Sequence, residues 1–221
     1  FVFENKELQQ GQQGFVSVAV ANVSDIPMDS LLVHYWIEDA NRNKIKIPYP
    51  RQDSLRAGQV LRDTVYFDTR NLSNQNKLWV EVNPRTETGL YDQPEQTHFN
   101  NLIEIPFGVS RDIQNPLLDV TFDGIHIING EIVSPNPEIF IALKDENPYL
   151  IMDSPADTAL FKIFLAAPGK SLERQYFNTT SDHIIEFIPA ADQTNRAKIF
   201  FKPKLKDDGV YTLLVQATDK S

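Results

Sequence analysis

The side chains of this sequence that could do catalytic or metal chemistry are four histidines and a few adjacent carboxylates. The histidines are well separated and lack the i, i+2 and i, i+4 spacings common at metal sites; they are His34, His98, His126 and His183. The chain has no cysteine, no His-Glu-x-x-His motif and no Gly-x-Ser-x-Gly motif. The sequence therefore predicts no catalytic residues, and we expect that the protein is not an enzyme.

One group of carboxylates is a candidate metal site. Two predicted strands of the second half, ending before residues 145 and 219, should run in the same direction. Asp145, Glu146 and Asp219 should then meet at one end of the fold, where Asp112 could join them. Calcium prefers about six to eight oxygen ligands, so these carboxylates are a candidate calcium site. The alternative is that these are ordinary turn acids in contact with solvent.

Three aromatic side chains are candidates for binding a ligand. Trp79 alternates out of phase with the apolar residues Leu78 and Val80, which predicts that it lies on the outer face of its sheet. There it could stack on a sugar ring, with Tyr91 and Phe99 as further stacking rings. The alternative is a Trp79 covered by the next strand or by the other half of the chain.

The long loop at 84–100 joins the last two predicted strands of the first half. Loops at this position carry binding in many immunoglobulin-like domains, so a recognition surface is expected here if the protein has one. The alternative is a loop held in place by Glu95 and Asn100, with Tyr91 and Phe99 buried.

Period-two alternation of apolar residues recurs between turn residues along the whole chain, and helical periodicity is not sustained anywhere. In the first half it predicts strands at 16–20, 61–67 and 78–82, and apolar runs add strands at 31–38 and 102–107. Residues 31–37 are apolar in both registers, so periodicity leaves open whether Tyr35 or Trp36 faces the core. Short antiparallel strands at this spacing predict an all-β protein built from sandwiches.

The alternation stops between Phe107 and Pro116, where polar residues form a connector. We therefore predict two tandem immunoglobulin-like β-sandwiches, over residues 1–109 and 110–221. In the second half, strands are expected near 120–128, 138–144, 160–165, 172–177, 184–188, 197–202 and 209–218.

The last predicted strand, at 209–218, begins with the pattern Asp207-Asp208-Gly209-Val210-Tyr211. This pattern is typical of a tyrosine corner, in which the tyrosine hydroxyl bonds to backbone a few residues upstream. Because the strand with that corner is the penultimate one of an immunoglobulin-like sandwich, the second sandwich is predicted to lack its last strand. One edge of the 209–218 strand should then be unpaired.

The charge and hydropathy of the chain exclude two classes of partner. The net charge is −9, and no stretch of lysine and arginine forms a basic stripe, so nucleic acid is not expected as a partner. No apolar segment approaches the roughly 20 residues that cross a bilayer, so direct membrane insertion is not expected.

The first half resembles the CARDB family, the bacterial cell-adhesion-related immunoglobulin-like modules, over most of residues 1–109. The resemblance rests on GFVSVAVANV at 14–23, SLRAG at 54–58 and WVEVNP at 79–84, and on Glu95 followed by Asn100 and Asn101. In that family the corresponding polar side chains cap backbone groups in the long final loop. Asn83 stands where the family usually has Asp.

The second half is similar to immunoglobulin-like segments of large exported Bacteroidetes proteins. The similar stretches are NPLLDVTFDG at 115–124 and NGEIVSP at 129–135. Some of those proteins carry gingipain-like peptidase domains and use type IX secretion. The resemblance implies an extracellular or cell-surface location within a longer multidomain protein.

Three functions follow from these expectations. The first is a non-catalytic structural, adhesive or spacer module, whose partners are flanking domains of the same polypeptide and a protein or glycan ligand at the cell surface. The second is a carbohydrate-binding module that uses Trp79, Tyr91 and Phe99. The third is an accessory domain of an exported peptidase.

Overall fold

The structure is a computed structural model that describes residues 2, 6–72, 74–95 and 97–221. The chain divides into two compact units, Phe1–Asp112 and Ile113–Ser221. The division lies inside the predicted polar connector but beyond residue 109, because the last strand of the first unit continues to Ser110. None of the helices in the described residues has the length and apolar composition needed to cross a membrane.

The described residues of the first unit contain seven strands in two sheets. They are β1 (Glu7–Gln9), β2 (Gly14–Ala21), β3 (Val33–Asp39), β4 (Lys44–Ile47), β5 (Val60–Phe67), β6 (Gln75–Val82) and β7 (Leu102–Ser110). One sheet has the order β1-β7-β6-β3-β4, and the other pairs β2 with β5. β1 runs parallel to β7, and every other pair is antiparallel.

The core of the first unit follows the alternation in its sequence. Alternate residues of β2, β5 and β6 point inward and are buried, as Val16, Val65 and Leu78 illustrate. In β3 the inward residues are Val33, Tyr35 and Ile37, so Tyr35 faces the core and Trp36 faces outward. This settles the register that the sequence leaves open.

The second unit also contains seven strands and one short 3-10 helix. The strands are β8 (Leu117–Phe122), β9 (Ile139–Lys144), β10 (Phe161–Ala166), β11 (Glu173–Gln175), β12 (His183–Ile188), β13 (Arg196–Pro203) and β14 (Thr212–Ala217), and the 3-10 helix is Pro155–Leu160. The sheets have the orders β12-β13-β9-β8 and β11-β10-β14. These orders are those of an immunoglobulin-like sandwich whose last strand is missing.

The core of the second unit lies between its two sheets. Ile139, Ile141 and Leu143 of β9 are almost completely buried, as are the inward residues of the neighbouring β13. β14 pairs with β10 on one side only, and no other strand of residues 113–221 pairs with it. The fold class expected from the sequence, all-β with two immunoglobulin-like sandwiches, is confirmed.

Candidate functional site

Trp36 and Trp79 form a stacked pair on the outer face of the five-stranded sheet in the first unit. They are directly opposite each other on β3 and β6. Their ring centroids lie 5.8 Å apart and their planes differ by 6°. Trp79 therefore occupies the face that its alternation predicts. Sequence reasoning missed Trp36 as its partner, because the apolar run at 31–37 hides the register of β3.

Charged and polar side chains surround this pair. The Lys44 ammonium nitrogen lies 5.3 Å from the centroid of the Trp36 ring, which is within the range of a cation–π contact. Lys77 of β6 and Glu104 of the neighbouring β7 form an ion pair at 2.9 Å. A cavity of 590 Å³ beside the pair is lined in part by Trp36, Lys46 and Tyr49. The face thus combines two large rings with both signs of charge.

The two indole N–H groups of this pair are buried and have no hydrogen-bond partner among the described residues. Buried indole donors usually find an acceptor. Here the rings are held by their stacking and by the pairing of β3 with β6. One face of each ring is occupied by the other ring, which leaves less ring surface for a sugar than an isolated exposed tryptophan would offer.

Tyr91 and Phe99, the other two candidate stacking rings, differ in their surroundings. The Tyr91 ring stacks on the His98 ring with centroids 3.4 Å apart, and the Arg85 guanidinium lies 4.1 Å from its centroid. Because two groups this close cannot share one face, they cover both faces of Tyr91. Phe99 is 86% exposed. The loop therefore offers Phe99, but not the faces of Tyr91, to a planar ligand.

Glu95 fixes the long loop between β6 and β7 from inside. Its Oε2 atom accepts hydrogen bonds from the side-chain amides of Asn83 and Asn101, both at 2.6 Å. Asn83 is 1% exposed, and its side chain also bonds to the backbone N–H and C=O of Gln93. The second amide that holds Glu95 is thus Asn101, one residue beyond the Asn100 named from the sequence.

Arg51 ties the same loop to the segment after β4. Its guanidinium makes two hydrogen bonds of 2.7 Å to the Asp92 carboxylate, whose side chain is 8% exposed. The Arg51 contact is the main reason that the pKa of Asp92 is lowered from its usual value. The ion pair adds a second point at which the loop is held.

The acidic residues that the sequence predicts as calcium ligands differ in their hydrogen-bond partners. Asp145 and Glu146 directly follow β9, and Asp145 is 2% exposed, with its Oδ1 accepting the Asn147 N–H at 2.6 Å.

Asp219 instead accepts two hydrogen bonds from Ser221. Among residues 113–221 no three acidic or histidine side chains come close enough to share an ion, so the expectation that Asp219 joins Asp145 and Glu146 is wrong. Asp112 is the last residue of the first unit, where its N–H donates to the Gln10 side chain at 3.0 Å.

Asn195 plays in the second unit the part that Glu95 plays in the first. It is fully buried and has a φ of 47°, in the left-handed region that asparagine tolerates better than most residues. Its side chain accepts the Met152 N–H and donates to the carbonyls of Asn147 and Leu150. The loop after β9 is therefore fixed by interior hydrogen bonds.

No protein-family model matches this chain, and no curated protein matches it. Among solved structures, one described as the crystal structure of CBD12 from CALX1.2 is similar over 98% of this chain and 73% of that chain. The identity is 11% and the TM-score is 0.27.

Proposed function

We propose that this chain is a non-catalytic structural module of a larger secreted or cell-surface bacterial protein, in which each sandwich serves as a stiff spacer or an adhesive platform. The observation that carries the proposal is the use of polar side chains to fasten loops. Glu95, which is half-buried, and Asn195, which is fully buried, each bind several groups that hold a long loop in place.

This arrangement suits a spacer better than a catalyst. A catalytic carboxylate must remain accessible to its substrate, and loops over active sites commonly move. A spacer instead benefits from loops that keep one shape under load. The resemblance of the first half to cell-adhesion-related modules points the same way.

The proposal is tested by assaying the chain against peptide and glycan substrates. We expect no turnover above that of a heat-unfolded sample. Turnover that copurifies with the folded chain, and that disappears on substitution of a single polar residue, would contradict the proposal.

A carbohydrate-binding module is the second candidate, and the Trp36–Trp79 pair is the observation that favours it. Stacked rings flanked by Lys46 and Glu81 offer both an apolar surface and hydrogen-bonding groups. Sugar recognition commonly combines these two features. A glycan array tests this carbohydrate-binding function by comparing the unmodified chain with Trp79→Ala. Tyr66→Ala is the matched control because Tyr66 is an exposed aromatic residue on β5. Saturable binding lost only in Trp79→Ala would support this function, and binding equal in both variants would refute it.

Calcium is a further proposal for Asp145 and Glu146, which directly follow β9. The expected result is a higher melting temperature in calcium chloride than in EDTA, and its loss in Glu146→Gln. Equal melting temperatures in the two buffers would rule calcium out.

A further inference from the structure

β14 is the only edge strand of the second unit without a charged residue. The other edge strands of residues 113–221 contain Asp119 in β8, Glu173 and Arg174 in β11, and Glu186 in β12. β14 reads TLLVQA. Edge strands of soluble proteins are usually protected by charges, proline or bulges, because an open edge pairs readily with another strand. The sequence of β14 therefore suits a strand that is covered on both sides.

The first unit shows what covers the equivalent strand. There β6 pairs with β3 on one side and antiparallel with β7 on the other, and its inward residues Leu78 and Val80 are 0% and 1% exposed. In the second unit β10 occupies the place of β3, and no strand occupies the place of β7. The inward residues Leu213 and Val215 of β14 are accordingly only half-buried.

A cavity marks the place of the missing strand. It has a volume of 830 Å³, and its apolar walls include Leu118, Val120 and Phe122 of β8 and Leu213, Leu214 and Val215 of β14. Ile132 and Val210 at the same cavity are 99% and 82% exposed. A small apolar molecule could fill such a space but could not pair with the free backbone groups along β14. A strand can do both.

The charged residues that line the cavity indicate which end of a bound strand should carry basic residues. Its lining contains the carboxylates of Glu131, Asp207 and Asp208 and no lysine, arginine or histidine. Asp207 and Asp208 precede the first residue of β14. A strand antiparallel to β14 places its C-terminal end beside them, so lysine or arginine at that end would be attracted.

We propose that β14 and this cavity receive an extended peptide strand that residues 113–221 do not supply. The strand pairs antiparallel with β14, directs alternate apolar side chains between β8 and β14, and carries basic residues at its C-terminal end. This inference is independent of the carbohydrate and calcium proposals, since it involves neither the Trp36–Trp79 pair nor Asp145.

Two blocked peptides test the inference on the 221-residue chain: TVTVTVTVKK, with its lysines at the C-terminal end, and KKTVTVTVTV, with the same composition reversed. The first peptide should bind saturably and slow amide exchange in β14 by about tenfold, because its strand pairs with the open edge. The second should bind at least about threefold more weakly, since its lysines lie far from Asp207 and Asp208.

Variants of the acidic residues at the cavity test whether the basic end of the bound peptide lies beside them. The double variant Asp207→Asn, Asp208→Asn should weaken the binding of TVTVTVTVKK by about threefold or more and leave the binding of KKTVTVTVTV unchanged. Glu173→Gln, an exposed acid on β11, is the matched control and should change neither. Failure of both peptides to bind, or protection at β11 or β12 instead of β14, would overturn the proposal. So would sedimentation showing a dimer whose β14 amides are already protected, because a second copy would then cover the edge.

Discussion

The backbone N–H of Asp207 donates a hydrogen bond of 3.0 Å to the hydroxyl oxygen of Tyr211, and this contact closes the turn that leads into β14. Gly209 lies between them with a φ of 145°, and a Cβ atom there would lie 2.7 Å from the Pro168 ring. The position therefore requires glycine for both its backbone conformation and its close packing. The predicted tyrosine corner is confirmed.

Tyr211→Phe should destabilise the second unit by about 1 kcal/mol, the usual net contribution of one such hydrogen bond. The measurement is urea unfolding followed by circular dichroism. Tyr176→Phe is the control, because Tyr176 is 62% exposed in the same unit and should have almost no effect when changed. Equal effects of the two substitutions would show that the corner contributes nothing to stability.

The strands that alternation predicts are present because one face of each must be buried. β1 and β4 were missed, since Glu7–Gln9 and Lys44–Ile47 have only three and four residues, which is too short for their alternation to stand out. The strand expected at 120–128 ends at Phe122, where Asp123, with a φ of 50°, begins a turn. A single residue with a positive φ leaves no periodic pattern in the sequence, so alternation does not predict where such a strand ends.

The candidate sites were predicted less well than the strands. Trp79 could be assigned a face from Leu78 and Val80, but its stacking on Trp36 depends on which residues β3 and β6 place opposite each other. The covering of Tyr91 by His98 depends on the path of a loop. Such contacts are set by register and loop geometry, which short-range periodicity does not encode.

Glu95→Ala should destabilise the first unit by about 2 to 4 kcal/mol, because two hydrogen bonds to a charged group are lost and one N–H of each of the Asn83 and Asn101 amides loses this acceptor. Both tryptophans of the chain lie in the first unit, so tryptophan fluorescence during urea unfolding reports on this unit alone. The control is Glu87→Ala, an exposed acid in the same loop. A shift no larger than that of the control would mean that Glu95 does not hold the loop.

The Arg51–Asp92 pair should make stability depend on pH. Because Arg51 lowers the pKa of Asp92 in the folded protein, the pair stabilises the fold above the usual carboxyl pKa of 3.8, and this stabilisation is lost as the pH falls through the lowered value. Arg51→Ala should therefore lower the urea midpoint at pH 7 but have little effect near pH 2. Arg56→Ala, at an exposed turn, should show no such pH dependence. A difference between Arg51→Ala and the unmodified chain that stays constant from pH 7 to pH 2 would exclude the ion pair as its cause.

Asn195 allows the side-chain and backbone contributions of one residue to be separated. Its side chain bonds to three buried backbone groups, those of Asn147, Leu150 and Met152, and its φ is positive. Asn195→Gly keeps the backbone conformation accessible but leaves those groups unpaired, which should cost about 3 kcal/mol. Asn195→Ala should cost about 1 kcal/mol more, because alanine is strained in the left-handed region.

These costs should appear in the second unit only. The circular dichroism transition of the sheets should move to lower urea in both variants, while the tryptophan fluorescence midpoint of the first unit stays fixed and serves as an internal control. Equal destabilisation by glycine and alanine would show that the positive φ relaxes on substitution. An unchanged sheet transition in both variants would show that the Asn195 side chain does not fasten the loop after β9, and it would remove half of the support for the spacer proposal.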